Sequence, residues 1–135
     1  MKKYFLALVL IKAVAAAAHE GHDHDAPTLL KAPKGGVIKS LEKTNVEVVS
    51  RGKNLKIYLY DKEKRQQKTS RYNVRAQAQL PRTEKLEEIP LSTTDEHFEA
   101  TFDAKGMHRY TLILTVKDGQ TGHDDRLTFT IEPKK

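Results

Sequence analysis

The chain has no cysteine and no tryptophan, and Met1 and Met107 are its two methionines. Without cysteine there is no disulfide, no thiolate metal ligand, no thiol nucleophile and no cysteine for lipid attachment behind an export signal. Long apolar runs are scarce too. The longest, Tyr4 to Ile11, is interrupted by Lys12, well short of the roughly 20 residues a membrane-spanning helix needs. No stretch keeps a helical period. No serine stands in a Gly-x-Ser-x-Gly setting, no phosphate-cradling glycine loop occurs, and His-x-x-x-His spacing on a helix is missing. These absences lead us to expect a protein that is not an enzyme.

What is present begins with Met1-Lys2-Lys3, the apolar run, and the small-residue stretch Ala13 to Ala18. This is the three-part layout of a cleavable secretory signal. We expect residues 1–18 to be removed, leaving the protein periplasmic or secreted, with no membrane association after cleavage. A cut after Ala18 makes His19 the mature N-terminus; a cut after Ala17 fits the small-residue rule equally well. Removing the signal lowers the formal charge from +6 to +3, since Lys2, Lys3 and Lys12 leave with no acid. Such a mild surplus on an exported chain points to no nucleic-acid partner.

The remaining length suits a flexible His/Asp-rich tail, residues 19–33, followed by one domain, residues 34–135. An exported domain without disulfides must be held by its core. Turn residues recur between short segments rich in β-branched and aromatic side chains, the pattern of an all-β, immunoglobulin-like antiparallel β-sandwich of about seven or eight strands. Expected strands are Gly36–Leu41, Asn45–Ser50, Leu55–Tyr60, Tyr72–Leu80, Lys85–Ile89, His97–Phe102, Arg109–Val116 and Arg126–Ile131. The alternation of Leu55, Ile57 and Leu59 with Lys56, Tyr58 and Tyr60 sets the first row toward the core. Asp61 to Arg65 reads as a charged hairpin loop. Tyr110, four residues after Gly106, resembles the tyrosine at the penultimate hairpin of immunoglobulin-like domains.

The densest chemistry is His19-Glu20-Gly21-His22-Asp23-His24-Asp25. Imidazole nitrogen donates to borderline divalent ions, and short His-rich tracts bind them. The candidate ligands are therefore His19, His22, Asp23, His24 and Asp25. Cu(II) is favoured, because the α-amine and imidazole of His19 can chelate one ion together; Zn(II) and Ni(II) are alternatives, and Co belongs to the same class. The plainer reading is a hydrophilic leader to an exported chain. Ordering such a tail costs about 1 kcal/mol or more per residue, which favours capture and hand-off over a resident cofactor. His97, with Asp95 and Glu96, and His123, with Asp124 and Asp125, are weaker candidates expected at one end of the sandwich; solvated loop residues are the simpler account of both.

At Ala32-Pro33-Lys34-Gly35-Gly36-Val37, Asn45-Val46-Glu47-Val48-Val49 and Leu55-Lys56-Ile57-Tyr58-Leu59-Tyr60-Asp61, the chain resembles a group of small periplasmic β-domains. They occur alone or at the N-terminus of periplasmic adaptor subunits of heavy-metal (copper/cation) efflux systems, typically behind a His-rich leader. Their first motif usually reads Pro-His-Gly-Gly, and the second carries a histidine before its Val-Glu or Phe-Glu pair; Lys34 and Asn45 stand in those places here. The resemblance implies an immunoglobulin-like module in metal handling or efflux, with Gly35 and Gly36 kept for backbone reasons. The expectation is thus a monomeric exported protein that captures or hands off divalent metal, with an efflux component as a partner. The alternative is an envelope module that binds protein or glycan and carries its tail incidentally.

Overall fold

The computed structural model describes residues 31–133. Nine strands form in this span: β1 (Val37–Ser40), β2 (Asn45–Arg51), β3 (Asn54–Tyr60), β4 (Tyr72–Gln79), β5 (Glu87–Ile89), β6 (Ser92–Thr93), β7 (Phe98–Thr101), β8 (Tyr110–Asp118) and β9 (Asp124–Ile131). They make two antiparallel sheets, ordered β1-β2-β3-β7-β6 and β5-β4-β8-β9. Leaving out β1, this is the immunoglobulin arrangement, with A, B, E and D in one sheet and C′, C, F and G in the other. β1 adds a fifth strand beside β2.

Alternation decides which residues enter the core. Val46 and Val48 of β2 and Leu55, Ile57 and Leu59 of β3 are all at most 2% exposed. They meet Ala76 and Ala78 of β4, Leu112, Leu114 and Val116 of β8, and Phe129 and Ile131 of β9. At one end Phe102 and Tyr110 bring their ring centroids to 4.6 Å, and burial pushes the Tyr110 hydroxyl up to about 12. Tyr110 is the first residue of β8.

All eight expected strands form, each within two residues of its expected bounds. The structure adds β6, which brings the total to nine rather than seven or eight. It also adds a 3-10 turn at Thr69–Arg71, between the Asp61 loop and β4. Both are too short to show a period. The Asp61 loop forms as a hairpin, and its geometry comes from one carboxylate: Oδ1 accepts from the backbone N–H groups of Glu63 and Arg65, both at 2.9 Å.

The two glycines of the Pro33–Val37 segment have different reasons. Gly35 adopts φ +78°, which side-chain-bearing residues avoid. Gly36 lies so close to β2 that an added Cβ would stand 2.3 Å from the Val48 carbonyl oxygen. Gly35→Ala should therefore cost about 1–2 kcal/mol, whereas Gly36→Ala, which forces backbone apart, should cost about 2–4 kcal/mol. Urea unfolding of the two variants against the parent protein checks the order.

Candidate functional site

His19, His22, Asp23, His24 and Asp25 lie outside the described residues. Of the weaker candidates, His97 immediately precedes β7, held by a turn in which Thr94 Oγ1 accepts from the His97 backbone N–H at 3.1 Å. Its ring packs against Tyr58, centroids 5.1 Å apart. Nε2 lies 2.6 Å from Glu99 Oε1, and Nδ1 lies 3.3 Å from Thr94 Oγ1. Both ring nitrogens are engaged.

His123 ends the β8–β9 turn, its Nε2 3.2 Å from Asp125 and 3.8 Å from Glu42. Asp124 opens β9 opposite Lys117. The two turns share one end of the sandwich, where Thr69 N–H donates to the Asp95 carbonyl and Gly119 N–H donates to the Arg71 carbonyl. Each histidine has its own partners there, and among the described residues no group of three or more His, Asp or Glu side chains is placed to hold a metal ion.

The positions that carry the resemblance hold a different arrangement. Glu47 points to the outer face of the five-stranded sheet, yet it is fully buried. The segment before β1 folds across it. Both carboxylate oxygens accept from the Lys34 backbone N–H at 3.1 Å, Oε2 accepts from Gly36 N–H at 2.8 Å, and Oε1 accepts from the Tyr60 hydroxyl at 2.7 Å. Burial first, then the hydrogen bond to Glu47 and its charge, hold the Tyr60 hydroxyl above the usual phenol range. The same backbone path sets Lys34 over the Tyr58 ring, Nζ 5.5 Å from its centroid.

Asn45 is likewise buried. Its Oδ1 accepts from Ser40 Oγ at 2.7 Å, and its Nδ2 donates to the Asp61 carbonyl at 3.3 Å, linking β1, β2 and the Asp61 hairpin. Sequence reasoning assigned Glu47 no role. The available signal was the Gly35-Gly36 pair, which marks a close backbone approach just before β1.

Asp118, at the end of β8, is also tied. Arg71 donates to it through Nε at 3.2 Å and Nη2 at 2.8 Å, and Gln120 N–H donates at 2.9 Å. The Arg71 hydrogen bond holds the Asp118 carboxyl below its ordinary range. In comparisons with known proteins, no family model, no curated protein and no solved structure matches the chain.

Two outcomes follow from these carboxylates. Glu47→Ala strands three donors beneath a loop and should cost about 3–5 kcal/mol, against about 1–2 kcal/mol for Tyr60→Phe, which removes one hydrogen bond; equilibrium unfolding measures both. Asp118 is depressed relative to an unfolded value near ~3.9, so its contribution is complete above that pH and is lost as pH falls through the folded value. Stability measured from pH 6 downward should fall less steeply below about pH 4 in Asp118→Asn than in the parent protein.

Proposed function

We propose that the protein is an exported carrier of divalent metal ions, with the segment His19–Asp25 as the ligand set and the β-sandwich as its rigid support. The observation that carries this reading is the composition of that segment, three imidazoles and three carboxylates in seven residues. Nitrogen and oxygen donors at such density suit Cu(II), Zn(II), Ni(II) or Co(II), and a His19 N-terminus would add its amine and favour Cu(II). The resemblance of the Pro33–Val37 and Asn45–Val49 segments to periplasmic metal-efflux domains agrees in direction, and makes an efflux component the natural recipient.

Within the folded domain, the two positions where the resembled group carries histidine are occupied by Lys34 and Asn45. The Lys34 ammonium carries no lone pair while protonated, and the Asn45 amide is committed to Ser40 and Asp61. This concentrates the metal chemistry of the proposal in the tail. Low-affinity, exchangeable binding fits a carrier, because the tail must be ordered at each loading.

Calorimetric titration of Cu(II), Ni(II) and Zn(II) into the secreted protein, with and without residues 19–25, tests the proposal. The full protein should bind at least one ion, Cu(II) most tightly, and the shortened protein at least tenfold more weakly. Equal binding by the two forms would remove the tail from the mechanism. Mass spectrometry of the secreted protein decides whether His19 is the first residue.

A further inference from the structure

On the outer face of the five-stranded sheet lies a groove of about 630 Å³ whose lining includes Lys34, Arg51, Lys56, Tyr58, Pro90 and Glu99. Among the described residues its lining holds no histidine, and its chemistry differs from that of a metal site. Three of these side chains are cations. Elsewhere on the domain Arg65 lies 2.8 Å from Asp61, Arg71 2.8 Å from Asp118, and Lys53 3.5 Å from Asp103. Among the described residues, Lys34, Arg51 and Lys56 have no carboxylate within ion-pair distance. The groove's acid, Glu99, is already tied to His97 at 2.6 Å.

The sheet register spaces the cations. Glu47 stands opposite Tyr58, Val49 opposite Lys56 and Arg51 opposite Asn54. These are three successive outward rows, and Lys34 lies over the first because the Glu47 latch puts it above Tyr58. Outward rows repeat at about 6.8 Å, twice the rise per residue of a strand. The outer two cations are therefore separated by roughly 14 Å along the strand direction, too far for one carboxylate to bridge. An extended peptide repeats its side chains on one face with the same ~6.8 Å period. Lys56 stands in the middle row, between those of Lys34 and Arg51, with Glu99 of β7 as its cross-strand neighbour. Val49 and Pro90 supply apolar contact along the groove.

We propose that this groove binds an extended acidic peptide segment of a partner protein, with carboxylates at alternate residues meeting Lys34, Lys56 and Arg51. Rim charges of this kind govern encounter rate and orientation, and their effect fades with salt. The groove thus supplies a protein-docking function distinct from metal capture.

The test uses the full secreted protein in metal-free buffer and fluorescence anisotropy of a labelled peptide, Asp-Thr-Asp-Thr-Asp-Thr. Competitors are Asp-Asp-Asp-Thr-Thr-Thr, citrate and a sulfated oligosaccharide. The alternating peptide should bind saturably, at least tenfold more tightly than the contiguous one, and citrate should not displace it at equal concentration. Lys56→Glu and Arg51→Glu should each weaken binding at least tenfold, whereas Lys117→Glu, on the opposite sheet, should leave it unchanged. Both groove residues are exposed, so an unchanged thermal midpoint is expected; Lys56→Gln, with a smaller loss, serves if the charge reversal unfolds the protein. Absence of saturable binding, equal affinity for the contiguous peptide or the oligosaccharide, or indifference to Lys56→Glu and Lys56→Gln would each overturn the proposal.

Discussion

A carboxylate taken out of water costs several kcal/mol unless its oxygens are met by donors, and Glu47 is met by three. Two of these, the Lys34 and Gly36 backbone N–H groups, belong to the segment that precedes β1, and the third is the Tyr60 hydroxyl of β3. The carboxylate therefore ties the segment before β1 to the paired strands β2 and β3. Because the donors are backbone groups, the path from Lys34 to Gly36 is fixed whatever the Lys34 side chain does. That path in turn requires the left-handed Gly35 and the close approach of Gly36 to Val48. It sets where β1 begins, and it delivers Lys34 to the face of Tyr58. The proposed docking groove inherits one of its three cations from this latch.

The same device recurs where a cysteine-free domain needs its turns held. Asp61 closes its hairpin by accepting from Glu63 and Arg65, and Asp118 closes the β8–β9 turn by accepting from Gln120 while gripping Arg71. Gly119 takes part in that grip: an added Cβ would stand 2.8 Å from the Arg71 carbonyl oxygen. Each aspartate satisfies N–H groups that would otherwise need water, so the turns keep one geometry without a covalent staple. Arg71 meets both oxygens, Nε on Oδ1 and Nη2 on Oδ2, and the Gln120 N–H shares Oδ1 with it.

How much of this was legible in the sequence depends on whether a residue's role is periodic. Leu55, Ile57 and Leu59 announce a buried row because every second position is aliphatic, and β2, β4, β8 and β9 can be read the same way. β6 has two residues and the turn at Thr69 three, so neither has a period to detect. Side-chain partners are also hidden. Nothing local in His97 states that Glu99 and Thr94 engage its two nitrogens, nor in His123 that Asp125 and Glu42 are its neighbours. Glu47 was hidden for a further reason: its outward position on the strand is a correct reading of alternation, but its burial is imposed by a segment eleven residues earlier. The glycine pair at residues 35 and 36 was the one visible trace of that contact.

The proposed division of labour between residues 19–25 and the domain rests on availability of donor atoms. A metal competing for His97 must displace Glu99 from one nitrogen or Thr94 from the other, and must enter beside the Tyr58 ring. At His123 the nearest oxygens, on Asp125 and Glu42, offer one nitrogen and two carboxylates of which Glu42 is 3.8 Å away. Softer borderline ions such as Cu(II) prefer several nitrogens, and a lone imidazole beside carboxylates is a poor match for them. In His19–Asp25, by contrast, three imidazoles fall within six residues, a spacing short enough for one ion to reach them all. On the proposed reading, the metal chemistry is thus concentrated in a few consecutive residues, while Glu47 fixes the backbone that places Lys34 on the sheet's outer face.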